Sequence, residues 1–94
     1  MSELYGIQTF TSDGPVDTAD QRVKVNLVVA TSGATAGLAI IRHGGLATSQ
    51  EVGRLNPAIN QSSSLIMGDA TFPSGCFIDI DANITQATVW YTRY

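Results

Sequence analysis

The stretch Gln21–Gly44, QRVKVNLVVATSGATAGLAIIRHG, constrains the fold more than any other. Val23, Val25, Leu27 and Val29 recur at every second position, the spacing that places side chains on one face of a β-strand. Arg22, Lys24 and Asn26 take the opposite face, so this strand begins half buried. From Val28 both faces are apolar, as where a strand enters the middle of a packed sheet. Ser32–Gly37 carries the small residues of a turn, and Leu38–Ile41 reads as the return strand. A chain organised around such a pair is expected to be all-β.

The remaining segments extend that reading. Leu4–Thr11 is a first strand, with Leu4 and Phe10 facing inward and Tyr5, Ile7 and Thr9 on the other side. Ser12-Asp13-Gly14-Pro15 punctuates it, since glycine tolerates positive φ and proline cannot extend a ladder. The acidic Val16–Asp20 reads as a surface connection. In Leu46–Gln61, Thr48 or Ser49 would cap a short helix over Gln50–Leu55, but Gly53 weakens it and Asn56-Pro57 ends it. An irregular loop with at most one helical turn is expected there. A short strand around Leu65–Met67 leads into a second loop, Gly68–Gly75. Cys76–Asp81 alternates, with Cys76, Ile78 and Ile80 on one face and Phe77, Asp79 and Asp81 on the other. Ala82-Asn83 has the length of a tight hairpin turn. Ile84–Tyr94 closes the chain as a strand rich in β-branched and aromatic residues. The 94 residues therefore read as one domain. It is a small antiparallel β-sandwich or barrel of about six to eight short strands.

Charge narrows the partners. The net charge is −3, with a single lysine and four scattered arginines (Arg22, Arg42, Arg54, Arg93). Binding to nucleic acid or to an anionic membrane needs clustered Lys and Arg, so neither is expected. One cysteine, Cys76, excludes an intramolecular disulfide and fits a reducing compartment. MSELYGIQTF lacks the basic start and apolar run of a signal peptide, and no stretch reaches the length of a membrane span. Synthesis in the cytosol without a leader is expected.

Few residues carry chemistry. Ile40-Ile41-Arg42-His43-Gly44 resembles the motif of the histidine-phosphatase superfamily. That resemblance implies a nucleophilic histidine delivered by a strand beside a phosphate-binding arginine. The same chemistry needs a second histidine and a larger α/β domain, and His43 is the sole histidine here. His43-Gly44-Gly45 resembles the oxyanion loop of lipases, but the chain has no G-x-S-x-G nucleophile elbow. Asp79-Ile80-Asp81-Ala82-Asn83 has the alternating oxygens that open a calcium loop. An EF-hand would require glycine at Ile84 and glutamate at Trp90. The two aspartates read instead as a solvated strand face, able to meet a cation or an arginine. Cys76, His43, Met1 and Met67 do not make a copper or zinc set, and Cys76 reads as an inert core residue. No enzyme, metal or cofactor is expected.

The aromatic residues remain. Trp90, Tyr91 and Tyr94 crowd the last strand, and such residues build cores, subunit interfaces or stacking platforms for sugar rings. With Arg42, His43 and Leu55 they are the candidate interaction residues. The function expected is that of a non-enzymatic structural protein. It would self-associate into a homo-oligomer, such as a trimer, or decorate a larger particle such as a phage virion. Scarcity of lysine suits packed contacts, and the edge strands of a small sheet must be paired or blunted. The alternative is a ligand-binding β-module for carbohydrate, using Trp90 or Tyr94 with Asn and Asp donors.

Overall fold

A computed structural model describes residues 5–94. These residues form eight strands: β1 (Tyr5–Phe10), β2 (Gly14–Pro15), β3 (Val23–Ser32), β4 (Ala39–His43), β5 (Gln50–Leu55), β6 (Ser62–Phe72), β7 (Cys76–Ile80) and β8 (Ile84–Arg93). No helix occurs among them. The strands make two antiparallel sheets of four, sheet I in the order β1-β8-β3-β6 and sheet II in the order β2-β7-β4-β5. Of consecutive strands, only β4 and β5 pair with each other; every other connection separates strands that are not hydrogen-bonded neighbours. Two sheets wound together in this way are the jelly-roll form of the β-sandwich.

Alternation along each strand supplies the core. Val23, Val25, Val28, Ala87 and Val89 of sheet I face Ala39, Ile41, Cys76 and Ile78 of sheet II, all of them fully buried. Leu65, Met67 and Tyr91 pack against this cluster from its rim. Each large side chain taken out of water there contributes roughly 1.5–3 kcal/mol.

The sandwich agrees with the reading from sequence, but several segments do not. The pair expected within Gln21–Gly44 is no hairpin: β3 lies in sheet I and β4 in sheet II, joined by a corner. Ser32 fixes that corner, its buried hydroxyl donating to the Pro57 carbonyl and accepting from the Gly37 N–H, both at 2.8 Å. Within β3 the four apolar residues do not share a face. A bulge between Val25 and Leu27 inserts Asn26 and shifts the alternation, so Val28 and Ala30 turn inward and Leu27 and Val29 outward. Ala82-Asn83 likewise joins strands of different sheets. Residues 50–55, expected to be loop, form the edge strand β5. Strand β6 runs through the expected 68–75 loop as far as Phe72, with Gly68 and Asp69 both at positive φ (59° and 63°) inside it. Gly14-Pro15 pairs with β7, and Val16, expected at the surface, is fully buried. Phe10 is buried as expected, whereas Leu4 and Met1 lie outside the described residues.

Candidate interaction surface

The two outer faces of the sandwich differ in chemistry. On sheet II, Arg42 of β4 reaches Asp79 of β7, with Nε and Nη2 at 3.1 and 2.8 Å from Oδ2, and its Nη1 donates to the Ser49 carbonyl at 3.0 Å. Beside it on β5, Arg54 makes two 2.7 Å bonds to Glu51. That pair holds the Glu51 carboxyl below its ordinary range. Ion pairs therefore mark this face, with the half-buried Ile40 and Phe77 standing among them.

Sheet I presents the opposite surface. The ladders place Ile7 of β1 beside Trp90 of β8, Trp90 beside Leu27 of β3, and Leu27 beside Ile66 of β6. One uninterrupted apolar row thus crosses all four strands on the outside. Ile7 is 67% exposed and Ile66 81%, while Trp90 and Leu27 are half buried between them. An open hollow of about 470 Å³ lies against the row, lined by Gly6, Ile7, Asn26 and Trp90. The next row holds Thr9, Thr88, Val29 and Ser64, and the one beyond it Gln86, Thr31 and Ser62. Hydroxyls pair across strands in these rows, Thr9 with Thr88 at 3.3 Å and Thr31 with Ser62 at 2.7 Å. None of these positions carries a charge.

The bulge creates the row. Were Asn26 paired as an ordinary strand residue, Leu27 would keep the parity of Val23 and Val25 and point into the core. Gly6 has a matching role on the inner side: a Cβ there would clash with the phenol end of the Tyr91 side chain, so glycine leaves the room in which the Tyr91 ring lies across β1.

The candidate residues are scattered. Trp90 is in the centre of the apolar row. Tyr91 points the other way, packs on the core and donates its hydroxyl to Asp17 Oδ2 at 3.4 Å. Its burial and the Asp17 charge raise the phenol above its ordinary value. Tyr94 lies under two cations at the end of sheet I, with the Arg22 guanidinium 5.0 Å and the Lys24 ammonium 5.6 Å from its ring centroid. Leu55 is a core residue at 7% exposure. Arg42 is held by Asp79 on sheet II. His43, at the end of β4, is exposed and meets Phe72 edge-on with ring centroids 5.6 Å apart. The structure does not bring the six together. Asp79 and Asp81 are also separated in role, since Asp81 accepts from the backbone N–H groups of Leu38 and Asn83. Among the described residues no group of three or more His, Cys, Asp or Glu side chains is placed to hold a metal ion. Nor is any helix there long and apolar enough to cross a membrane.

Ile7, Leu27 and Ile66 were not among the candidates. Each is an ordinary apolar residue in its own strand, and only the register between distant strands aligns them with Trp90.

No protein-family model matches the chain, and no curated protein matches it. Its fold is similar to a solved structure of Bacillus endospore appendages, described as a novel family of disulfide-linked pili. The identity is 15% and the TM-score 0.51, over 99% of this chain and 86% of that one.

Proposed function

We propose that this protein is a non-enzymatic structural subunit that associates edge to edge through sheet I. The observation that carries this reading is a contrast between the edges of the two sheets. In sheet II, β2 is two residues long and ends in proline, and β5 carries Glu51 and Arg54 beside a register break. Short length, proline, charge and bulges are the devices by which proteins blunt strand edges. In sheet I, β1 (YGIQTF) has no charge and no proline, and β6 offers SSSLIM before its bulge at Gly68-Asp69. Both are hydrogen-bonded on one side only.

The geometry suits propagation. Sheet I has four strands of alternating direction. A neighbour displaced sideways with the same face outward therefore brings its β1 antiparallel to β6. Pairing the six residues of β1 would add about six backbone hydrogen bonds. Such a head-to-tail contact repeats from copy to copy and builds a filament, or a ring where the rotation between copies closes. The likeness in fold to a pilus-forming protein supports this reading. Here, however, the assembly would be held without disulfides, because the single cysteine, Cys76, is fully buried. The same edges would serve a subunit that decorates a larger particle, a virion included.

Light scattering across a dilution series, with negative-stain microscopy, tests the proposal. Growth of the purified chain into oligomers or filaments is the expected result. A monomer at every concentration, with no ordered particles, would remove it.

A further inference from the structure

We infer that the outer face of sheet I is a second contact surface, on which another copy of this chain stacks face to face. The inference rests on the proposal that the protein self-associates. It names a surface that edge pairing alone does not use.

Three observations choose a second copy as the occupant. The first is chemical: the row Ile7–Trp90–Leu27–Ile66 is apolar from edge to edge, and the rows on its Thr88 side carry hydroxyl, amide and valine side chains without a charge, while Lys24 stands in the row on its other side, paired with Thr92 and Thr71. A copy that lays its uncharged rows over the Lys24 end of its partner places no like charges opposite one another. Sheet II, with two ion pairs across its face, would have to desolvate them to do the same. The second is area. Strands about 4.8 Å apart and some nine residues long give sheet I a footprint of roughly 600 Å². Two copies would then cover roughly 1,200 Å², the lower bound for a specific stable interface. The third is continuity. The row ends on Ile7 and Ile66, which belong to the two edge strands through which subunits are proposed to join. Edge pairing would prolong the row from subunit to subunit, and stacking would lay two such ribbons back to back. The hollow beside Trp90 then receives apolar side chains from the facing copy, as it offers them scarcely any polar lining beyond Asn26.

The protein carries its own reporter, because Trp90 is the sole tryptophan. Emission of the wild-type chain and its quenching by acrylamide should be followed over a dilution series, with mass read by sedimentation in the same samples. Stacking predicts that emission moves to the blue and quenching falls by about three-fold or more as mass rises. Leu27→Lys, on a central strand away from both edges, should weaken this step about a hundred-fold. Its fold is checked by circular dichroism, and the wild-type series stands without it. Mass that rises while Trp90 stays as quenchable as in the monomer would overturn the stacking inference and leave edge association intact. A mass that never rises would overturn both. A saturable change in Trp90 emission on adding cellohexaose or maltoheptaose to the monomer would assign the face to a sugar, and would overturn it as well.

Discussion

Asp17 shows how much a single side chain organises at the open end of the sandwich. Its backbone lies at φ 66°, a conformation that Asp and Asn adopt far more readily than other residues with a Cβ. Its N–H donates to Gln8 Oε1 at 2.7 Å, and the Gln8 amide donates in turn to the Pro15 carbonyl at 3.2 Å. Its carboxylate accepts from Arg93, with Nη2 at 2.8 Å from Oδ1, and from the Tyr91 hydroxyl. Loop, β1, β2 and β8 thus meet on one residue. The Arg93 bonds hold the Asp17 carboxyl below its ordinary value of 3.8, against the opposing effect of burial. A depressed carboxyl stabilises the fold fully above that ordinary value, and the stabilisation is lost as pH falls from there through the folded value. Asp17→Asn keeps the tolerance for positive φ while removing the charge. It should cost about 1 kcal/mol at neutral pH, since Arg93 is partly solvated. Urea midpoints measured from neutral pH down to strongly acid should converge for the two proteins, because the variant lacks this contribution at every pH. Asp17→Ala should lose about 1 kcal/mol more, from backbone strain.

At the scale of elements, the edge strands decide behaviour. Ser63 of β6 is paired with Ala30 and points to the inner side at the open edge. A lysine there is the inward-pointing charge by which natural edges repel pairing, and its long stem can still carry the ammonium to water. Ser63→Lys should therefore leave the circular dichroism spectrum unchanged and weaken self-association about ten-fold or more, read by sedimentation. Association unaffected by that charge would show that β6 is not the contact. The sequence makes a strand readable where period-two alternation reports burial directly, as it does throughout β7 and from Ala87 to Trp90 of β8. It does not reveal what turns an alternation over. Asn26 carries no mark of a bulge, and its effect on Leu27 arises from pairing with residues about forty and sixty positions away. β5 was hidden for a related reason: Gly53 and the mixed polarity of QEVGRL suit an edge whose partner, β4, supplies the order. The apolar row combines both difficulties. Trp90 was visible, but its three neighbours in the row depend on register and topology.

The whole molecule distributes its charge so that assembly and solubility do not compete. Ion pairs occupy sheet II, the Asp17–Arg93 pair sits at one end, and on sheet I the cations Arg22 and Lys24 gather at the Tyr94 end, leaving the rows from Trp90 to Gln86 uncharged. With a net charge of only −3, subunits repel weakly, and that repulsion is screened beyond a Debye length of about 10 Å at moderate salt. Contacts made by backbone pairing and apolar stacking carry no charge for salt to weaken. Raising the salt should consequently strengthen association by a small factor, about two- to five-fold, in place of dissolving it. Redox conditions should leave it unchanged. The Cys76 thiol is enclosed in the core and pushed by burial up to about 12, so at neutral pH almost no thiolate forms in the native chain. Light scattering of one preparation, with and without reductant and from low to high salt, checks both expectations together. Loss of mass in reductant would mean that Cys76 leaves the core to bridge subunits, and loss of mass in high salt would mean that ion pairs such as those of sheet II hold the copies together. Either result would move the contact away from sheet I.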